Sequence, residues 1–231
     1  MINEPVGESP RHFTADYVEH ATLRDGTRVV LRLIVPEDRA MLDAGFRRWS
    51  AESRYARFLA TKTTLTDDEL RYLTEVDQEN HFALGAMAEN GNGNGDPVGL
   101  GIARFIRLPK LHATAEAAIA VADEAQGKGL GKLLFLRLCA AAAERGYERF
   151  RCEVLGSNTG MAALIATIAP ERTIEVGGGV MSIEMVLPDV TPTHPPDTVA
   201  PEGALYRLLR AAAQNTVEFT DAVRRLWHRN D

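Results

Sequence analysis

Residues 126–132, Gln-Gly-Lys-Gly-Leu-Gly-Lys, set three glycines and two lysines between an alanine-rich apolar run and a leucine-rich one. Glycines let a backbone approach phosphate oxygens closely, and a helix starting here turns its first N–H groups and positive dipole end to the same place. The stretch reads first as an anion cradle, and its spacing decides which kind. A P-loop needs Gly, four residues, then Gly-Lys-Ser/Thr. Counted back from Gly131-Lys132, position 126 is glutamine, and Leu133 stands where a magnesium-binding hydroxyl belongs. A dinucleotide fingerprint starting at Gly127 meets Lys132 where its last glycine should be. The pattern that fits is Gln/Arg-x-x-Gly-x-Gly/Ala, through Gln126, Gly129 and Gly131, with Lys128 and Lys132 adding local charge. A tight strand-to-helix connection without any ligand is the plain alternative.

Glu116 is the second candidate. In "TAEAAIAVAD" it stands as the one charged residue within a run of small apolar ones. It reads either as a general base or as an ordinary solvated carboxylate at a strand end. The six histidines show no metal-ligand spacing, and no serine or cysteine pairs with a base. Metal and covalent mechanisms therefore rank low, and no metal is expected.

These residues need elements to hold them. Asp25-Gly26 is a turn signal, and Thr27–Val35 reads as a strand. Pro36 opens a helix with Glu37 and Asp38 in its first turn and an apolar stripe of Met41, Leu42, Phe46 and Trp49. A second helix starts near "TDDELRYL", capped by Thr66. "HFALGAMA" and "PVGLGIARFIRL", separated by repeated Asn-Gly, read as an antiparallel pair. "TAEAAIAVAD" is apolar at successive positions, the mark of a central strand covered on both faces. After the glycine turn, Leu130, Leu134 and Leu138 begin a long helix that Gly146 ends. A strand "ERFRCEVLG", a short helix "NTGMAALIATIA" and two closing strands about Gly177–Gly179 follow. The expected fold class is α/β with a mixed, mostly antiparallel sheet flanked by helices. Residues 1–22 read as a loosely docked or mobile arm, 23–187 as the domain, 188–203 as a Pro-rich linker, and 204–231 as an amphipathic helix. Leu205, Leu209, Ala212, Thr216, Phe219, Val223 and Leu226 form its stripe, which suits docking on its own domain, a homodimer or a helper protein.

The 231-residue chain, 45% apolar, can bury a real core, and its net charge of -6 argues against a nucleic-acid or membrane surface. Cys139 and Cys152 fall in a predicted helix and strand and read as buried thiols, which suits a reducing compartment. With no signal-like N-terminus and no 18-residue apolar window, a cytoplasmic location is expected.

The Gln126–Gly129–Gly131 pattern, set between a central strand and a long helix, resembles the coenzyme-A pyrophosphate loop of the GNAT acetyltransferases, and the order of elements from 23 to 187 is the GNAT order. "VPEDRAML", "RRWSAESRYARFL", "AEAAIAVADEAQGKGLGKLL" and "VLGSNTGMAAL" together look like the bacterial Pat-type protein-lysine acetyltransferases. Such relatives often carry a regulatory domain that this chain lacks. The resemblance implies acetyl-CoA as co-substrate, held by Gln126, Gly127, Lys128, Gly129, Leu130, Gly131 and Lys132. It implies direct acetyl transfer to an amine, with Glu116 as general base and the Val121 N–H facing the thioester oxygen. Asn158 matches an asparagine that contacts the coenzyme, and a plain helix N-cap is its alternative. Many relatives place a tyrosine acid in the helix after this asparagine, and "MAALIATIA" has none. The implied acceptor is a protein lysine. A small amine such as a polyamine, or a non-catalytic acetyl-CoA sensor, are the competing readings.

Overall fold

A computed structural model describes residues 11–51, 53–54, 62–91 and 97–188. The proposed linker and C-terminal helix, most of the Asn-Gly connection and part of "RRWSAESRYARFL" lie outside the described residues. Eight strands form one sheet: β1 (Val18–Thr22), β2 (Arg28–Leu33), β3 (His81–Ala88), β4 (Val98–Arg107), β5 (Thr114–Val121), β6 (Arg149–Leu155), β7 (Arg172–Gly177) and β8 (Val180–Val186). Their order is β1-β2-β3-β4-β5-β6-β8-β7. Every neighbouring pair is antiparallel except β5–β6, which is parallel. Helices flanking it among the described residues include α1 (Arg39–Arg48), α2 (Asp67–Thr74), α3 (Leu130–Ala143) and α4 (Thr159–Ile168).

Local chemistry sets the helix boundaries. Pro36–Asp38 makes a 3₁₀ turn before α1, and the Asp38 carboxylate receives both arms of Arg32, at 2.7 and 2.5 Å, and the Val35 N–H at 3.0 Å. Thr66 caps α2 in a reciprocal pair with Glu69, as the sequence predicts. Gly146, at φ 76°, lies just past α3 in the left-handed region a helix end requires.

One face of the sheet carries α3, whose buried Leu130, Leu134 and Leu138 join Phe82, Phe105, Phe135 and Phe150 in the main core. Phe82 and Phe105 stack with ring centroids 5.2 Å apart. The opposite face carries α1 and α2, with Phe46, Leu65, Leu70 and Leu73 buried together and Ile106 against them. β5 is buried at every position, which is why its apolar run shows no alternation.

The arm expected over residues 1–22 does not hold for its second half. Phe13 and Tyr17 are buried, and residues 18–22 add β1 to the sheet edge. Arg145 donates to the Phe13 carbonyl at 2.8 Å, and Arg137 makes a two-armed bridge to Glu19 at 2.7 Å per arm. Only two aromatic anchors four residues apart mark this segment, too sparse a pattern to stand out among polar neighbours.

Candidate active site

The site begins where two strands part. β5 pairs with β6 only through Thr114–Glu116 against Arg149–Arg151. Beyond that point β5 stays with β4 as far as Val121, while β6 stays with β8 as far as Leu155, so a fork opens after Glu116. The Ala122 N–H donates to Leu100 O on the β4 side, at 2.8 Å. Strand alternation therefore turns the N–H groups of Ala117, Ile119 and Val121 into the fork. Ala117, Ala118 and Ala120 keep its walls low.

The glycine turn faces the open end. A 3₁₀ turn, Asp123–Ala125, leads to Gln126, whose amide donates to Val121 O at 3.3 Å and to Asp123 Oδ1 at 3.1 Å. The Gln126 side chain thus ties the turn back to β5, leaving backbone as its means of meeting a ligand. Gly127 (φ 73°) and Gly129 (φ 93°) occupy conformations that side-chain-bearing residues rarely adopt, and Gly129 is the N-cap of α3. Having no side chain, this cap leaves the first-turn N–H groups at Leu130, Gly131 and Lys132 without a side-chain acceptor from it. Such an end suits phosphate.

Lys128 reaches a partner on the β1–β2 turn. Its Nζ lies 2.8 Å from Asp25 Oδ2, and the Arg24 N–H donates to Lys128 O at 3.1 Å. This contact with Lys128, helped by the Thr27 N–H and hydroxyl, holds the exposed Asp25 carboxyl down at about 2. The β1–β2 turn therefore braces the loop, and Lys128 serves that brace. Arg24 lies alongside Gly129, its Nε 3.5 Å from where a Cβ would stand. Sequence reading missed Arg24, because its proximity depends on a register that only the folded sheet supplies. Gly129→Ala forces a side chain into the left-handed region at a cost of roughly 1–2 kcal/mol. The expected outcome is a Tm lower by roughly 2–8 °C and about tenfold weaker coenzyme-A binding, read by calorimetry and titration.

Besides the Gln126 amide, Asp123 and its neighbour Glu124 meet partners on and just after α1. Asp123 accepts from Ser50 N at 2.9 Å and Ser53 Oγ at 2.5 Å, and Glu124 sits 3.8 Å from Arg48. Asn158 caps α4, its Oδ1 accepting from Met161 N at 2.9 Å. A coenzyme contact by Asn158 would thus fall to its amide nitrogen.

Glu116, only 2% exposed, sits at the crotch of the fork on the face beneath α1 and α2, opposite Ile106 on β4 and Arg151 on β6. Arg104, also 2% exposed, shares that face one cross-strand diagonal away. Its guanidinium meets His81 Nε2 at 3.0 Å and donates to Leu73 O at 3.1 Å. Burial and the adjacent Arg104 charge push His81 down to about 3, so its ring is neutral and Nε2 accepts. The Tyr72 ring lies 4.9 Å from the His81 ring. Burial, with Glu116 adding to it, raises the Tyr72 phenol above its usual range. Arg104 carries the same signal that marked Glu116, a lone charge in an apolar run, "GLGIARFI". On the same face, α1 and β4 enclose an apolar cavity of about 70 Å³ lined by Met41, Gly45, Phe46, Trp49, Gly99 and Ala122 among others.

A forked sheet, an uncapped glycine helix start and a buried carboxylate at the crotch define the acyl-group transferases of one fold. The chain belongs to the acetyltransferase (GNAT) family, whose model matches residues 44–167 and so takes in Glu116, Val121, the glycine turn and Asn158. It is 32% identical over 193 residues to acetyltransferase Pat of Mycolicibacterium smegmatis, covering 83% of this chain and 56% of that protein. The chain thus spans little more than half of that relative. The GNAT domain of S. lividans PAT superposes with a TM-score of 0.66 at 26% identity, over 78% of this chain and all of that one. The fold also recurs in spermidine N-acetyltransferase from Vibrio cholerae, solved with CoA and spermine (TM-score 0.51, 16% identity, 69% of this chain and 95% of that one). Among the described residues, no helix is long and apolar enough to cross a membrane, and no group of three or more His, Cys, Asp or Glu could hold a metal ion.

Proposed function

We propose that this protein transfers the acetyl group of acetyl-CoA directly to the side-chain amine of a protein lysine. The observation that carries the reading is the fork: a buried glutamate at its crotch, N–H groups along one wall and the glycine helix start at its mouth. Gln126–Lys132 fit a pyrophosphate through backbone N–H groups, with Lys132 adding charge and Asn158 near the fork. The acceptor must shed a proton first, because an ammonium with a pKa of about 10.4 has no lone pair at neutral pH. Glu116 takes that proton, through water given its burial. The amine nitrogen then bonds to the acyl carbon, and the N–H of Val121, with that of Ile119 on the same side, steadies the oxygen as it gains charge. The C–S bond breaks to release a thiolate, acidic enough to leave without the tyrosine acid that α4 lacks.

The apolar cavity beneath α1 favours a protein acceptor over a polyamine, since it offers surface to the aliphatic stem of a lysine or to a neighbouring side chain. A Cβ added at Gly45 meets nothing within 4 Å, so a side chain can start from this wall of the cavity, and Gly45→Leu is the variant that narrows it. The expected outcome is a KM for the protein acceptor about tenfold higher, with spermidine kinetics unmoved. The founding test is thiol release from acetyl-CoA with a panel of candidate proteins and polyamines. Turnover with a protein lysine supports the proposal, turnover with polyamines alone supports the small-amine reading, and tight acetyl-CoA binding with no turnover on any acceptor leaves a sensor.

A further inference from the structure

We infer that Arg104 is a positioning residue that keeps the Glu116 carboxylate ionised inside a buried site, and that His81 and the Leu73 carbonyl hold Arg104 in place for that task. The inference rests on the proposed role of Glu116 as base. Burial alone disfavours a carboxylate, and a base that picks up its own proton at neutral pH is idle. A fixed cation nearby offsets this. Arg104 and Glu116 lie on the same face of β4 and β5, one diagonal apart, which puts their Cβ atoms roughly 7–8 Å from each other, within reach of two long side chains. Tyr72 feels both charges, the positive one lowering and the negative one raising its phenol, so both groups bear on one place.

Among the described residues, the surroundings favour Arg104 as a cation for Glu116. From β6, Arg151 stands in register with Glu116, but its side chain is 39% exposed and is engaged by Glu153 at 3.5 Å and Ser182 Oγ at 3.0 Å. From β3, His81 is neutral and accepts from Arg104. From α2, Tyr72 is an uncharged phenol. Burial lowers Arg104 only to about 10, so it remains a cation at working pH. A neutral ring nitrogen and a backbone carbonyl are among its anchors, and neither of these carries a charge that would cancel its own.

The test is the pH dependence of kcat/KM, measured on the full chain with the acceptor found above. Arg104→Gln and Arg104→Met remove the charge and are expected to move the acid limb upward by about 1–2 pH units, with activity recovering at alkaline pH. Arg104→Lys keeps a charge without the fork and is expected to lower turnover while leaving the acid limb near that of the unaltered protein. An unmoved acid limb in a folded Gln or Met variant, or a Lys limb displaced as far as theirs, overturns the inference. Failure of both uncharged variants to fold also overturns it, by assigning Arg104 to folding alone. Absence of turnover in the unaltered protein would instead sink the acetyl-transfer reading, so the two failures are distinguishable.

Discussion

Glu116→Gln is expected to lower kcat by about 10²–10⁴-fold while changing the Kd for acetyl-CoA little. Glutamine matches glutamate in shape, so the β5 ladder against Ile106 and the seam with Arg151 survive. What disappears is the capacity to accept a proton, and turnover should then follow the small fraction of acceptor amine already deprotonated in solution. Raising the pH should restore activity to the variant steadily, whereas the unaltered enzyme should level off once Glu116 is ionised. Single-turnover kinetics and equilibrium titration separate the two effects. A variant with unaltered kcat would remove Glu116 from the mechanism.

Gly101→Val is expected to destabilise the protein by about 3 kcal/mol, seen as a Tm lower by roughly 6–12 °C. Gly101 pairs with Val121 beneath α3, and a Cβ there would stand 2.8 Å from Leu134 Cδ1, 3.2 Å from Leu130 Cδ2 and 3.1 Å from the Ala120 carbonyl oxygen. The leucine termini can shift; the backbone oxygen of β5 cannot shift without moving the strand. Relief therefore comes from displacing β5 at Ala120, next to Val121 and the turn that leads to the glycine N-cap of α3. Coenzyme affinity should fall together with Tm. A loss of Tm with binding intact would mean that α3 and the loop move independently.

Much of this arrangement was readable from the chain. β5 announced itself because burial on both faces permits only small apolar residues, which made one glutamate conspicuous. α3 was legible because leucine at every fourth position and a terminal glycine are local signals. What escaped reading depends on distant partners. Nothing local in "LRDG" says that Asp25 will cross to Lys128. The burial of Phe13 and Tyr17 rests on Arg145, Glu144 and Phe82, all far along the sequence. Arg104 was available to the same reasoning that picked out Glu116. An arginine in a strand is usually solvated, and only the covering α1–α2 layer shows that this one is buried.

The single parallel pairing also has a consequence for how the molecule is made. Strands β1 to β5 lie side by side in chain order, and all but β3, which follows β2 only after α1 and α2, can pair with a predecessor just synthesised at little cost in loop closure. β6, β8 and β7 form a second group that joins the first only through three residue pairs and the long crossing of α3. That join is the shortest ladder in the sheet, and Glu116 belongs to its last rung. The chemistry thus sits at the seam with the fewest rungs to break, so activity should decay ahead of the bulk secondary structure as conditions turn denaturing.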